Sequence, residues 1–442
     1  MPQGIVRKGI AAMFFICALI AIPFVYGQSK PFEGQTLTVC MYTSATCDAV
    51  KTLIPDFEQR TGAKVSIDEV PHEAIFEKTM TAAAARAGTI DVFMVGYEWL
   101  PNLLAGNYLY PLNEFIKGND EELGLNDFEP TYFHNFTRGE KIYGLPIYAA
   151  VPLLFYRKDL FEKEHVAVPQ TDEQYMQVAK LFTRDSKKDG NIDFWGTVAA
   201  RKRGQAIVCW WLHDLYKHGG DVIRGQFAGA DPGKDLKPIL NNDKGIAATK
   251  FFKEEEKYMP PGVGTYEFFE ALQVFMSGKT AMVFYWNDGA NITEDPSQSA
   301  VAGKVGFALN PAFNGNRTAF LGGWGATMSA DSKNKKLAFE YMKWVYGKKN
   351  AKRFTLAGAQ PPRISIFKDP ELQKKFPWFE ATLKQLPYTR PYPLFVEWPQ
   401  MQDIIGENLS MIYTNEKSVA DGLNDSATRI DKVMQQAGYY NK

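Results

Sequence analysis

The chain has 442 residues, 50 of them basic and 50 acidic, with 45% hydrophobic, 23% charged and 14% aromatic content. That length exceeds one ordinary core and predicts two compact lobes, while the composition excludes wholesale disorder and a multi-span membrane protein. The exact charge balance leaves no net field favouring nucleic acid or an anionic membrane surface, so a neutral partner is accommodated more easily.

Arg7 and Lys8 precede an apolar run from residue 9 to residue 25, and Val25-Tyr26-Gly27 closes it ahead of a polar stretch. This is the pattern of a secretory signal cleaved after Gly27, and Cys17 lacks the small residues that precede a lipid-modified cysteine. Export leaves Cys40, Cys47 and Cys209 in a compartment that permits disulfides. Cys40 and Cys47 are close enough in sequence to be candidates for a bridge, although spacing alone does not establish the geometry, and Cys209 reads as a buried thiol in an apolar stretch.

Thr36–Tyr42 reads as a strand with Leu37, Val39 and Met41 on one face. Val50, Leu53, Ile54 and Phe57 then recur at helical spacing, with Asp48 as an expected cap, a kink expected at Pro55 and a stop at Gly62. Lys64–Val70 is a second strand, residues 76–86 an alanine-rich helix, residues 91–95 a third strand, and residues 100–106 open another helix. This β-α-β-α-β order predicts a mostly parallel sheet whose ligand sits beyond the carboxyl ends of its strands.

Residues 144–157, with Pro146 and Pro152, read as strand, crossing and strand. Helices are predicted at Asp172–Phe182, Gln205–Lys217, 245–258 and 266–276, and strands at 279–285 and 305–309, which together make a second α/β lobe. Gly322–Ser329 is a second extended crossing, so both lobes should be discontinuous in the chain. The proline-rich stretch 369–399 is irregular but aromatic and should pack, and Val419, Leu423, Ala427, Ile430 and Met434 form the apolar stripe of a last helix.

Several segments in this order carry a family likeness: Ile54-Pro55-Asp56-Phe57-Glu58, Thr61-Gly62-Ala63-Lys64-Val65, Tyr143-Gly144-Leu145-Pro146, Leu154-Phe155-Tyr156-Arg157-Lys158-Asp159-Leu160, Ser277-Gly278-Lys279-Thr280-Ala281-Met282, Gly322-Gly323-Trp324-Gly325 and Gln360-Pro361-Pro362-Arg363. The succession resembles the extracellular solute-binding proteins of carbohydrate ABC importers, the maltose-binding-protein-like family 1. The resemblance implies an α/β, two-lobed periplasmic-binding-protein fold of type II kind, with a hinge and a central cleft. Residues 28–146 with about 326–358 would form one lobe and 147–325 with about 359–442 the other, with hinge crossings near 145–150 and 322–328. It further implies a periplasmic, monomeric protein with no cofactor and no catalysis. Such a protein closes on a sugar, oligosaccharide or polyol and hands it to the permease subunits of the importer.

Sugars and polyols present hydroxyls at their edges and C–H groups on their faces, so their sites combine planar hydrogen-bonding groups with aromatic platforms. The predicted strand ends offer Tyr42, Thr43 and Ser44, then His72, then Tyr97, Glu98 and Trp99, and in the second lobe Trp286, Asn287 and Asp288. A solvated carboxylate at a helix start is the alternative for Glu98. Gly323 and Trp324 lie in one crossing and Tyr148 in the other; Arg363 offers a planar donor fork, with a structural ion pair as its alternative. Trp398 is a further candidate platform, and of the adjacent helical pair Trp210 and Trp211 only one should reach the cleft. Two other readings stand beside this one: the same fold taking an amino compound or iron, and a secreted glycoside hydrolase using Glu98 and Asp288 as acid and base.

Overall fold

A computed structural model describes residues 30–226 and 235–440; the expected signal segment 1–27 and Cys17 lie outside the described residues. The strands that build its two main sheets are β1 (Thr36–Tyr42), β2 (Lys64–Val70), β3 (Val92–Gly96), β4 (Leu109–Tyr110), β5 (Gly144–Ala150), β6 (Pro152–Arg157), β7 (Trp195–Val198), β8 (Thr280–Trp286), β9 (Val305–Ala308) and β10 (Gly322–Ser329). The helices that matter for the site and its support are α1 (Ala45–Thr61), α2 (Ile75–Ala84), α3 (Gln205–Lys217), α4 (Asp243–Glu254), α5 (Phe268–Met276), α6 (Lys335–Tyr346), α7 (Trp398–Tyr413) and α8 (Val419–Gln436).

The first sheet runs β2-β1-β3-β10-β4, and β5 also pairs with β10. β1 is parallel to β2 and β3, as the β-α-β-α-β order requires, but β10 is antiparallel to β3, β4 and β5. The sheet is therefore mixed rather than mostly parallel, because β10 returns from far along the chain and enters it from the opposite end. The second sheet runs β9-β6-β8-β7, with β6 antiparallel to both neighbours and β8 parallel to β7.

Each sheet has its own core. Leu37, Val39, Val50, Leu53, Phe57, Val92, Phe93, Met328 and Leu337 are buried in the first. Leu153, Phe155, Val198, Ile207, Trp211, Phe275, Met282, Ile405 and Leu409 are buried in the second. β5 changes core along its length: Leu145 and Ile147 belong to the first, Val151 and Leu153 just beyond it to the second.

Local capping sets where the chain turns toward the space between the sheets. Ser44, not Asp48, caps α1, its side chain accepting the Cys47 N–H at 3.2 Å, and Gly62 closes the helix at φ 79°. α1 is one continuous helix through Pro55. The stretch 369–399 packs through short helices at Pro370–Lys375 and Trp378–Gln385 and pairs Thr389–Arg390 with Ala319–Phe320. On α8 the buried positions include Leu423, Ile430 and Met434, while Val419 and Ala427 are half-buried against the same core.

The candidate Cys40–Cys47 bridge is not formed; both thiols are free and buried. Strand alternation puts Cys40 on the side of β1 that carries Asp68 and Lys78, whereas Cys47 in the first turn of α1 faces Tyr341 and Tyr346 of α6. Closeness in sequence does not bring the two Cβ atoms together. Burial also pushes the Cys40 thiol up to about 12 and Cys47 up to about 11, so neither is a reactive thiolate.

Candidate functional site

A cavity of about 490 Å³ opens between the two sheets. From the first lobe it takes Tyr42, Thr43 and Ser44 at and just beyond the end of β1, His72 and Glu73 beyond β2, and Glu98 beyond β3. From the second it takes Trp286, Asp288 and Asn291 at and beyond the end of β8, Phe268 and Phe269 at the start of α5, and Gln205 and Cys209 from α3. Tyr148 on β5 and Gly322, Gly323 and Trp324 on β10 form the floor where the crossings pass. Parallel strand ends with their connecting loops thus meet there, as open α/β sheets direct their ligands.

Two aromatic walls stand across the gap. On one, the Tyr42 and Trp324 rings lie 4.6 Å apart at 49°, with His72 edge-on to both at 5.1 and 5.7 Å. On the other, Trp286 packs on Phe268 at 4.7 Å and on Trp210 at 5.1 Å. The run Gly322-Gly323-Trp324-Gly325 is explained by what lies behind it. A Cβ at Gly323 would meet the Tyr132 ring at 2.5 Å and one at Gly325 the Phe136 ring at 2.4 Å, so glycines let β10 press onto those rings while Trp324 faces the cavity.

The deep polar groups are carboxyls. Glu98 is only 5% exposed, and its carboxylate lies over Gly96, where a Cβ would meet Oε1 at 2.7 Å. Burial pushes the Glu98 carboxyl up to about 8, opposed only by a hydrogen bond from its own backbone N–H. Asp288 is pushed up to about 6 by burial, with hydrogen bonds from the Tyr148 hydroxyl and from backbone N–H groups pulling the other way. His72 is held below its ordinary range by burial and is neutral. No lysine or arginine is among the described residues that line the cavity.

Seven of the residues expected in the site are not on its lining, and each has another job. Tyr97, Glu98 and Trp99 share one tight turn and fan out in different directions. The buried Tyr97 hydroxyl donates to the Leu321 carbonyl and accepts from the Tyr392 N–H at 3.0 Å, while Trp99 backs Trp324 edge-on at 5.0 Å. On α3, Trp210 supports Trp286 from behind, and Trp211 is core, donating its Nε1–H to Thr249 Oγ1 at 2.8 Å. Neither tryptophan reaches the cavity; Gln205 and Cys209, four residues apart on the helix, do.

Asn287 is a fastener at the crossing. Its Oδ1 accepts the Val151 N–H at 2.9 Å, its own N–H donates to the Val151 carbonyl at 3.0 Å, and its Nδ2 donates to Gln360 Oε1. Arg363 is fully buried under the first lobe, where it donates to the carbonyls of Leu123, Gly124 and Tyr346 and lies 3.8 Å from the centre of the Phe128 ring. Trp398 is buried at the start of α7 and packs on Tyr392 at 5.4 Å. Tyr392 is the ring that faces the cavity, its hydroxyl held 2.7 Å from Cys209 Sγ and accepting from Gln205 Nε2 at 3.3 Å.

Tyr392, Gln205, Cys209, Phe268, Phe269, Tyr285, Asn291 and Phe320 are lining residues that the sequence does not single out. Phe268-Phe269 at a predicted helix start was the readable signal, since two adjacent aromatics there cannot both face the core. Among the described residues no group of three or more His, Cys, Asp or Glu side chains is arranged to hold a metal. Among the same residues no helix is long and apolar enough to cross a membrane.

Known proteins share this two-lobed α/β fold. A ribitol-bound ABC-transporter solute-binding protein from Agrobacterium radiobacter is 27% identical and superimposes with a TM-score of 0.81, over 91% of this chain and 100% of that one. A mannitol-binding protein from Pseudomonas aeruginosa is 25% identical over 429 residues, 92% of this chain and 94% of its own length. A relative from Sinorhizobium fredii, named as a periplasmic-binding protein for amino-acid transport, is 24% identical over 99% of both chains. The sequence model of the bacterial extracellular solute-binding proteins matches residues 46–352, and the two-lobed α/β chain belongs to that family.

Proposed function

We propose that this protein captures a polyol or a small sugar in the cavity between its lobes, closes over it, and delivers it to the permease subunits of an ABC importer. In this reading the segment 1–27 directs export, the mature protein works in the periplasm as a monomer, and no bond of the solute is made or broken. The lobes are 28–146 with about 326–358 and 147–325 with about 359–442, moving about the crossings at 145–150 and 322–328.

One observation carries the reading: Tyr42 of the first lobe with Trp324 of the 322–328 crossing makes one wall, Trp286 with Phe268 of the second lobe makes the other, and the two enclose polar groups at strand ends. Flat rings suit C–H faces, and Ser44, Tyr148, Asn291, Glu98 and Asp288 suit hydroxyls. A solute that touches both lobes favours the closed arrangement to the extent of those joint contacts. The size of the space is that of a small-molecule site, about 300–1,000 Å³. The ribitol and mannitol relatives support the polyol end of the range.

The test is a thermal-shift screen of pentitols, hexitols, monosaccharides and disaccharides, followed by calorimetry on the hits. A specific solute at a hundred times its Kd should add about 2.7 kcal/mol of stability. Trp324→Ala should weaken its binding by about tenfold or more, since an aromatic platform contributes on the order of 1 kcal/mol beyond its area. A screen in which no polyol or sugar raises the melting temperature would end the proposal.

A further inference from the structure

We infer that the solute carries a protonated amine, as in an amino-polyol or amino sugar whose ammonium docks on Glu98 while its hydroxyls meet the remaining polar lining. This rests on the polyol or sugar reading above and narrows its chemistry.

The lining is one-sided in charge. It contains the carboxyls of Glu73, Glu98, Glu267, Glu270 and Asp288, and no lysine or arginine among its described residues. Its lone imidazole, His72, is held neutral by burial. Three of the carboxyls sit at the rim, where Glu267 is paired with Lys202 at 3.1 Å. The two deep ones have no cation beside them among the described residues. Glu98, 95% buried by its 5% exposure, takes a hydrogen bond from its own backbone N–H and from no side chain among the described residues, and Asp288 Oδ1 is buried without a partner.

Burial holds Glu98 protonated in the empty cavity, because ionising it there is costly unless a positive group comes to meet it. A ligand ammonium is that group. The surroundings suit it further: Tyr42, Trp324, Trp286, Phe268 and Tyr392 are all on the lining, and ring faces attract cations. The groups that interact electrostatically with Glu98 are Tyr42, Tyr97, Tyr392 and Cys209, all pushed up and therefore uncharged. Among the described residues on the lining no cation competes for an ionised Glu98. The same field repels sugar acids and sugar phosphates. An α-amino acid would bring a carboxylate for which the lining has no lysine or arginine, so the amine should come without an acid.

The inference is tested by calorimetry on the exported chain with matched pairs: ribitol, mannitol and glucitol against their terminal-amine counterparts, and hexoses against hexosamines, at neutral pH in two buffers of different ionisation enthalpy. In at least one pair the amine should bind about tenfold to a hundredfold tighter, the range expected for a charge-assisted contact. It should also release a proton, because the ammonium draws Glu98 into its ionised form, whereas the hydroxyl partner releases none. Glu98→Gln should shrink the amine preference within each pair, and the proton count on the unaltered protein stands as evidence should that variant fold poorly. Amines that bind no tighter than their hydroxyl counterparts overturn the inference and leave the polyol reading in place. Failure of both members of every pair, with sugars and polyols also silent in the screen, overturns the polyol reading and this inference with it.

Discussion

Glu98 links the site to the stability of the empty protein. Its carboxyl is raised from an ordinary 4.5 to about 8 by burial, so folding favours its protonated form. A raised folded value contributes stability that is fully present below the unfolded value and is lost as pH rises through the folded one. Without solute, the protein should therefore lose stability between about pH 4.5 and 8 through this group, while Glu98→Gln should not. Thermal denaturation of both proteins from pH 5 to 9 is expected to show nearly equal melting temperatures at the acid end and a growing advantage for the variant toward the alkaline end; a constant gap would remove Glu98 as the cause. Glu98 and Trp324 were readable as site residues because one follows a predicted strand and the other lies in a glycine-rich crossing. Arg363, Asn287 and Trp398 were not distinguishable from them, since a planar donor fork, an amide or an indole serves a backbone carbonyl or a core as well as a ligand.

Among the elements, β10 is the most constrained. It runs antiparallel to β3 and β5 with an irregular register between Trp324 and Gly325, and its glycines accept the Tyr132 and Phe136 rings. Gly325→Ala places a Cβ against the Phe136 ring. The overpacking is expected to lower stability by about 1–3 kcal/mol in urea denaturation, since a ring wedged against a strand has little room to yield. A stability equal to the parent would show that the ring moves freely. At the same scale α3 explains a partial miss. Its adjacent tryptophans have the ring chemistry of a platform, but α3 is packed by α4 and α7, and that packing decides which face looks into the cavity. Gln205 and Cys209 have that face, and Trp210 and Trp211 do not. Helical spacing ties Gln205 to Cys209 without saying which stripe is wet.

At the scale of the molecule, two devices position the cavity without touching it. Asn287 ties the end of β8 to Val151 and Gln360 where the chain passes between cores, and Arg363 gathers three carbonyls from two segments of the first lobe. Removing Arg363 takes a donor from each of those carbonyls and the cation 3.5 Å from the Asp127 carboxylate, so Arg363→Met should cost about 3–5 kcal/mol of stability, as expected when one partner of a buried pair is deleted. Solute affinity measured well below the melting temperature should stay within about twofold, on the view that distant sites act independently. A large loss of affinity with full stability would return Arg363 to the site.

Taken alone, the sequence determined the alternation of strands and helices, the extended segments at Gly144–Ala150 and Gly322–Ser329, and the strand ends at Tyr42, Glu98 and Trp286 where a ligand would sit. These follow from hydrophobic periodicity and turn chemistry, which act over a few residues. Only the tertiary structure decided that β10 enters the first sheet antiparallel, that Cys40 and Cys47 face different neighbours, and that Tyr392 rather than Trp398 closes the wall. Those outcomes depend on which surfaces far apart in the chain bury each other, and local pattern carries no record of that choice.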